Sequence, residues 1–435
     1  MKVRARSMLA SAMALVLLGA CTSEGDDAGP SDGGSGDQVT ISFMAEGEAE
    51  EIKAYEDIVA AFEASQDAIH LELRFAEETV GELSTAIAAG DPPDLFLMNY
   101  RDYGQFAARG SVEPIADRLA SSEALHEEDF YETAMAPFRF DGTDQMCIPQ
   151  NASSLVVYYN ADLFEAAGLD APTTGWKWEE FLQDAVQLTT DEDDDGTNEV
   201  YGVGVSPELI RMAPFIWSNG GQVVDDEAAP TRLALDGRLS TQAMQRFLDL
   251  RASFGATPTD EEAEAVALDE RFLQGELGMY LDSRKVVPTF RTISEFDWDV
   301  APLPVLKEPV SILHSDAYCM TAGSDEKDAA WTFMEFALGT QGQEIAAATG
   351  RTVPSLTSVA ESDAFLDPQA EPSNSQVYLD QIPTLRSVPN IGPWAEIEEV
   401  ANGLIEEGYY TGAEAAELAR EVVTQTQPLF AREEG

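Results

Sequence analysis

Basic residues are scarce in this sequence, and their scarcity limits the partners that the protein can have. The 435 residues include 25 Lys and Arg against 80 Asp and Glu, which gives a formal net charge of −55. A surface of this sign repels nucleic-acid phosphates and anionic lipid headgroups, so we expect neither to be a partner. We interpret the acidity as an adaptation of the surface to a salty medium. In so acidic a chain, a pair of carboxylates is by itself no sign of catalysis.

Histidine and cysteine are also rare, with three of each. The histidines, His70, His126 and His314, are far apart in the chain, so a multi-histidine zinc site is not supported. The sequence has no P-loop, no Gly-x-Ser-x-Gly nucleophile elbow and no dinucleotide fingerprint, and we expect neither an enzyme nor a cofactor. Outside the N-terminal region only Cys147 and Cys319 remain. Outside the cytoplasm they could form a disulfide, but we slightly favour two buried free thiols.

No apolar run after the N-terminal region is long enough to cross a bilayer. Residues 1–20 begin with basic side chains and continue into a short apolar stretch, as secretory signal peptides do. Leu-Gly-Ala-Cys at 18–21 resembles the bacterial lipobox, which implies cleavage before Cys21 and a lipid on its thiol. The alternative is an ordinary signal peptide with a chance cysteine. We therefore expect an extracytoplasmic protein that is lipid-anchored to the cell membrane.

Residues 21–38 are predicted to form an acidic Gly/Ser linker. After Cys21 they are nearly all Ser, Gly, Asp and Glu, with one Pro and no large apolar side chain, so they cannot bury enough surface to fold. A flexible coil of this length would hold the folded part roughly 20 to 25 Å from the membrane on average. Docking onto a neighbouring membrane protein is within that reach.

Strand and helix patterns alternate at the start of the folded part. Apolar residues alternate along 39–44 and again along 71–75, and between them they recur at helical spacing over 52–62. A second helical pattern over 83–87 is followed by the apolar run 95–98. This order predicts an α/β fold with a mostly parallel sheet covered by helices. Two lobes that exchange strands would explain why the chain shows no second linker.

Short segments follow one another in a characteristic order over nearly the whole folded part. Together they resemble the extracellular solute-binding proteins of carbohydrate ABC importers, the maltose-binding type. The segments are PDLF (93–96), GSVEPI (110–115), IP (148–149), YYN (158–160), DLF (162–164), AGL (167–169), WEEF (178–181), WSNGG (217–221), GELGMY (275–280), WDVAPLP (298–304), AAWTF (329–333) and VPS (353–355).

The resemblance implies a two-lobe periplasmic-binding-protein type II fold with an interlobe cleft and crossing hinge strands. We expect one lobe from 39–150 with about 317–365, and the other from 151–316 with about 366–435. The resemblance further implies a monomer that captures a mono- or oligosaccharide unaltered and delivers it to the transmembrane subunits of an ABC permease. The alternatives are a secreted glycosidase with a carboxylate pair, and the same binding fold with a peptide, polyamine or metal-complex ligand.

The resemblance also indicates cleft residues, because a sugar needs planar polar groups for its hydroxyls and aromatic rings for its apolar faces. Trp394 is the leading candidate for a stacking platform; the alternative is a core tryptophan at a helix start. Helix or turn contacts are the alternative for the polar candidates, and an exposed salt bridge is the alternative for Arg351. At Asp282 and Arg284, relatives often show Gly and Trp, so a charged pair replaces an aromatic group there. The other residues placed at the cleft are Glu46, Asn99, Tyr100, Arg101, Gln150, Asn151, Ser153, Trp217, Asn219, Asp316 and Tyr318.

One acidic loop resembles a metal-binding loop. Asp191, Asp193 and Asp195 alternate before a glycine, as in a calcium-binding loop. The twelfth position, which requires a bidentate Glu, is Gly202. We therefore expect a solvated acidic turn, with weak calcium binding as the alternative.

Overall fold

The computed structural model describes residues 38–140, 144–191 and 196–431. The predicted signal peptide, the lipidation site Cys21 and the linker up to residue 37 lie outside the described residues. Among the described helices, none combines the length and the apolar character needed to cross a membrane.

Strands and helices alternate along the described chain. In chain order the strands are β1 (Val39–Ala45), β2 (Ile69–Phe75), β3 (Leu95–Asn99), β4 (Arg139–Phe140), β5 (Asp144–Gln145), β6 (Cys147–Pro149), β7 (Ser153–Ser154), β8 (Val156–Asn160), β9 (Tyr201–Gly204), β10 (Leu277–Asp282), β11 (Trp298–Ala301), β12 (Ser311–His314), β13 (Asp316–Met320) and β14 (Leu385–Arg386). The helices are α1 (Ala49–Ser65), α2 (Thr79–Ala89), α3 (Tyr100–Ala108), α4 (Ala116–Ser121), α5 (Glu132–Met135), α6 (Ala161–Ala167), α7 (Trp178–Leu188), α8 (Leu209–Ser218), α9 (Arg238–Ala252), α10 (Asp260–Ala265), α11 (Leu268–Leu273), α12 (Val287–Phe290), α13 (Lys327–Leu338), α14 (Thr340–Ala348), α15 (Thr357–Ala360), α16 (Gln376–Gln381), α17 (Trp394–Thr411) and α18 (Ala415–Thr426).

The first sheet has the strand order β2-β1-β3-β13-β6. Strands β2, β1 and β3 run parallel, as the alternating pattern predicts, and β13 pairs antiparallel with both β3 and β6. The helical pattern over 52–62 lies in α1, whose buried residues Tyr55, Ile58 and Phe62 pack in one core with Phe43 of β1. Because β1 and β3 are parallel, the residues that follow their carboxyl ends lie along one edge of the sheet.

The second sheet has the order β11-β8-β10-β9. Strand β10 is parallel to β9 and antiparallel to β8, which in turn is antiparallel to β11. All six residues of β10 are buried, since the strand lies in the middle of the sheet. The carboxyl ends of β9 and β10 lead into α8 and into the turn at 283–286, and these two segments form one wall of the site.

Two chain segments connect the sheets. The chain passes from β6 of the first sheet through β7 to β8 of the second, and β12 leads directly into β13 of the first sheet. Strands β7 and β12 pair with each other antiparallel, with Ser153 opposite His314, in a small sheet that also includes β14. The two crossing segments are therefore joined by hydrogen bonds where they pass between the sheets.

A disulfide links β6 to β13. Cys147 and Cys319 are register partners in the antiparallel pair, with Cα atoms 4.5 Å apart, and both side chains are fully buried. The expectation of two free thiols is therefore wrong. The bond joins positions 172 residues apart in sequence, and their adjacency depends on strand pairing between distant parts of the chain.

Candidate functional site

Two adjoining cavities lie where the two sheets face each other. Their volumes are about 720 and 340 Å³, and they share Glu51, Asn99, Asp316 and Arg351 in their walls. The first cavity is lined by residues from the first sheet and its helices, and the second also by residues that follow β9 and β10. We refer to the two cavities together as the cleft.

Residues that follow strands of the first sheet form the floor of the cleft. Glu46 follows β1, Asn99 ends β3, and Asp316 begins β13 directly opposite Asn99. The Asn99 amide Nδ2 donates to Asp316 Oδ1 at 2.9 Å, and Asn151 Nδ2 donates to Oδ2 at 3.3 Å. The Asp316 carboxylate is thus held by two neutral amides at the junction of the cavities.

Asn99 serves two purposes at once. Its side-chain oxygen accepts from the backbone N–H of Arg101 at 3.2 Å and so caps the start of α3, while its amide holds Asp316. Asn99 therefore both caps a helix and lines the cleft, because the oxygen and the nitrogen of its amide contact different groups.

Arg351 connects the two sides of the cleft. Its Nε lies 2.7 Å from Oε2 of Glu51 on α1, and its Nη1 donates to the backbone carbonyl of Lys285 at 3.0 Å. Burial raises the pKa of Glu51, and the guanidinium of Arg351 opposes that rise. A single side chain therefore contacts both the first sheet's helix layer and the turn after β10.

Two arginines in the wall of the second cavity form ion pairs with buried carboxylates behind it. Arg101 donates both to Oε1 and to Oε2 of Glu398, at 3.0 and 3.1 Å, and Arg211 Nη2 donates to Asp282 Oδ1 at 2.8 Å. His314 lies against Arg211, and burial together with that positive charge lowers its pKa well below the usual range. The imidazole is therefore neutral at physiological pH.

The carboxyl group of Asp102 on α3 has a raised pKa. Burial raises the pKa of its carboxyl to about 6; the nearby Arg101 opposes this, and the negative charges of Glu398, Asp316 and Glu46 add to it. No salt bridge within the described ranges involves Asp102 or Asp316. Neither carboxylate is therefore directly paired with a cation in the part of the chain that the structure describes.

Seven of the fifteen cleft candidates from the sequence line the cavities. They are Glu46, Asn99, Arg101, Asn151, Ser153, Asp316 and Arg351. These residues are brought together from five distant parts of the chain.

Three predicted aromatic residues are enclosed instead of lining a cavity. Trp394 is 0% exposed and belongs to the core around α17, and Tyr318 stacks on Phe43 with 5.1 Å between ring centroids. Trp217 is 3% exposed and lies under the guanidinium of Arg386. These buried rings offer no open face to a ligand, and in the described structure no Trp, Tyr or Phe lines either cavity.

Four of the other predicted residues outside the cavities bond to the protein itself. The Tyr100 hydroxyl accepts from the Val388 N–H at 3.4 Å, and Asn219 Nδ2 donates to the Leu239 carbonyl. The backbone carbonyl of Gln150 accepts from Gln343, and Asp282 pairs with Arg211 behind the second cavity.

The remaining candidate, Arg284, lies between two aromatic rings instead of facing the cleft. Its guanidinium carbon is 4.4 Å from the ring centroid of Phe365 and 4.9 Å from that of Tyr378. Asp282 and Arg284 do not pair with each other, since Asp282 pairs with Arg211.

Several lining residues are not among the candidates predicted from the sequence. Glu51, Asp102, Arg211 and Lys285 line the cleft, and Glu51, Arg211 and Lys285 form ion pairs there. For the basic residues a signal was available: positive charges are so scarce in this chain that Arg211 and Lys285, each shortly after a strand of the second sheet, stand out. The acidic ones are hidden among many other carboxylates.

The acidic loop provides no metal site that can be described. Asp193 and Asp195 lie outside the described residues, and Asp191 accepts from the backbone N–H of Gly196 at 2.9 Å. Elsewhere in the described chain, no group of three or more His, Cys, Asp or Glu side chains is arranged to hold a metal ion.

Known proteins share both the sequence pattern and the fold. The model of the bacterial extracellular solute-binding protein family matches residues 46–344. A putative binding protein of Brucella abortus is 23% identical over 387 residues, covering 86% of this chain and 89% of the relative. The diacetylchitobiose binding protein of Streptomyces coelicolor is 23% identical over 443 residues, covering 97% of each chain.

Among solved structures, an ABC substrate-binding protein from Listeria monocytogenes in complex with cycloalternan superposes with a TM-score of 0.82. It is 19% identical and covers 91% of this chain and 100% of its own. This likeness shows the mixed α/β two-lobe fold.

Proposed function

The chain belongs to the bacterial extracellular solute-binding protein family, and from that premise we propose that it captures a mono- or oligosaccharide in the cleft and delivers it to the permease of an ABC importer. The observation that carries the proposal is the cleft itself, which is lined by polar side chains from both sheets and bridged by Arg351. The relatives and neighbours are named as binding proteins, and those with a named saccharide support this class of ligand.

The chemistry of the cleft suits hydroxyl groups. A sugar hydroxyl both donates and accepts, and carboxylates, amides and guanidinium groups provide matching partners in fixed positions. Thr79 lines the first cavity and Thr352 the second, and the Oγ1 atom of each is buried and has no hydrogen-bond partner in the described structure. Ligand hydroxyls that reach these two groups would supply the missing partners.

Closure is the mechanism that we propose for capture. The lobes, for which we keep the ranges 39–150 with about 317–365 and 151–316 with about 366–435, would hinge where the chain passes between them: at β6–β8, at β12–β13 and near residue 365. A ligand that contacts both lobes only in the closed form shifts the equilibrium toward that form. The permease would then recognise the closed form.

The cellular setting of the proposal is extracytoplasmic. A buried disulfide is typical of proteins that fold in an oxidising compartment. We propose that a lipid on Cys21 anchors a monomer to the membrane through the acidic linker, within reach of the permease.

A thermal-shift screen of the full mature chain, made with Cys21→Ser to avoid lipidation, tests the proposal. A saccharide at a hundred times its dissociation constant should add about 2.7 kcal/mol to the free energy of unfolding, a rise of about 3 °C for roughly 400 folded residues. Amino acids, polyamines, peptides and calcium are screened as the alternative classes of ligand. Stabilisation by one of these and by no saccharide would contradict the proposal.

A variant and its control connect binding to the cleft. Asp316→Asn removes the carboxylate at the junction of the cavities and should weaken saccharide binding about tenfold. Asp67→Asn, an exposed carboxylate outside both cavities, removes the same charge and should leave affinity unchanged. Chromatography of the bound sugar separates a binding protein from a glycosidase, because a hydrolase would convert the sugar that stabilises it.

A further inference from the structure

The first cavity has far more negative than positive groups. Its lining includes the carboxylates of Glu46, Glu48, Glu51, Glu77, Glu78, Asp102 and Asp316. Arg351 is the one cation in that lining, and its Nε already pairs with Glu51. The acidity of the chain as a whole explains the four exposed carboxylates of this lining, but it does not explain the partly buried ones, which are Glu51, Asp102 and Asp316.

Other buried carboxylates around the cleft have cationic partners. Asp282 pairs with Arg211, Glu398 with Arg101, and Glu51 with Arg351. This is the general behaviour of charges withdrawn from water, because an unpaired buried charge is costly.

Asp102 and Asp316 depart from that behaviour. Both are partly buried, and neither forms a salt bridge within the described ranges. The groups whose charges act on Asp102 are Arg101, which is already bound by Glu398, and the carboxylates of Glu398, Asp316 and Glu46. Their combined effect with burial is a carboxyl that retains its proton to unusually high pH. Asp102 and Asp316 therefore lack a directly paired cation.

Two features of the walls indicate how a ligand would be held. Thr79 lines the first cavity and is 3% exposed, and its Oγ1 has no hydrogen-bond partner in the described structure. No Trp, Tyr or Phe ring lines the cleft in the described structure, so stacking on such a ring cannot supply much of the binding energy for a sugar. Charge-assisted hydrogen bonds are the stronger polar contacts, and a neutral hydroxyl does not provide a positive partner.

From these contacts, and resting on the proposed function, we propose that the captured saccharide carries a protonated amino group, which lies against Asp102 and Asp316. The amino group would supply the counter-ion that the two carboxylates lack. The remaining hydroxyls would bond to Thr79 and to the acidic and amide groups around them.

Matched pairs of sugars test the inference by calorimetry. Each pair has one skeleton with a hydroxyl or an amino group at one or more positions: glucose and glucosamine, galactose and galactosamine, mannose and mannosamine, and cellobiose and the β-1,4-linked glucosamine disaccharide. We expect the amino member of at least one pair to bind about tenfold or more tightly than its neutral counterpart. The difference should shrink at high salt, because the contact is ionic.

The outcomes separate this inference from the proposed function. If neutral sugars bind and no amino counterpart binds more tightly, the inference is overturned and saccharide capture stands. If no saccharide of either kind binds in this panel or in the thermal-shift screen, both fail. A polyamine that binds while every sugar fails would contradict both as well.

Asp102→Asn tests the residue that the inference depends on. The variant should lose about tenfold in affinity for the amino sugar and little for the neutral member of the pair. Asp67→Asn is the charge-matched control and should preserve the difference between the members. Equal losses for both sugars in the Asp102 variant would indicate a merely structural role.

The dependence on pH provides a second readout. Asp102 has a pKa of about 6, so lowering the pH from about 7 to about 5 protonates it while the amino group stays charged. Affinity for the amino sugar should fall several-fold over this range in the natural protein and stay level in Asp102→Asn. A fall of equal size in both proteins would contradict the assignment of the amino group to Asp102.

Discussion

Removal of the Cys147–Cys319 disulfide should lower stability without changing ligand affinity. The bond closes a loop of 172 residues, and the chain-entropy relation gives about 5 kcal/mol for a loop of that length at 25 °C. For roughly 400 folded residues, that loss corresponds to a fall of about 6 °C in the midpoint of thermal unfolding. The affinity should not change, because both side chains are fully buried and line neither cavity.

The assay compares the full mature chain carrying Cys21→Ser with the same chain carrying Cys147→Ala and Cys319→Ala as well. Unfolding in guanidinium and on heating gives the stability difference, and calorimetry with the stabilising saccharide gives the affinity. Adding a reductant should destabilise the first protein and leave the second unchanged. Equal stability of the two proteins, or reactive thiols in the unreduced first protein, would refute the reasoning.

Three further predictions concern buried and bridging side chains. Trp394→Ala should cost about 3 to 5 kcal/mol of unfolding free energy, because it leaves a cavity where a fully buried ring was packed; a large loss of sugar affinity at unchanged stability would contradict the buried position. Asp282→Asn should cost about 3 kcal/mol in a denaturant titration, because it leaves Arg211 buried without its carboxylate partner; a cost below about 1 kcal/mol would contradict that pairing. Arg351→Gln should weaken saccharide binding about tenfold, because it removes the ion pair with Glu51 and the link to Lys285; unchanged affinity in calorimetry would remove Arg351 from the site.

The site residues at the ends of strands can be predicted from the sequence. Glu46 and Asn99 lie at the carboxyl ends of strands whose apolar pattern is visible in the sequence, and parallel strands bring such residues to one edge. The α/β fold class follows from the same alternation. The antiparallel direction of β13 was not predictable, because its partners β3 and β6 are far away in the sequence.

Tryptophan residues show where sequence reasoning failed. Trp394 is the predicted stacking platform, but Ile397, Ala401 and Ile405 follow it at helical spacing and are buried on the same face of α17. That spacing is the sequence signal for a core position.

Pairings between distant residues were not accessible from the sequence. The partners of Arg211 and Arg351, which are Asp282 and Glu51, are determined by how the two sheets face each other. In a chain with 80 acidic residues, composition leaves many equally suitable partners for each guanidinium group. The disulfide depends on the register of β6 against β13 in the same way.

Hydrogen exchange followed by mass spectrometry, with and without the saccharide that stabilises the protein, tests the central claim most directly. Saccharide capture in the cleft predicts slower exchange on both sides of it, in peptides covering 46–51, 99–102 and 351 on one side and 208–211 and 283–285 on the other. Protection that leaves these segments unchanged and appears elsewhere in the chain would contradict the account.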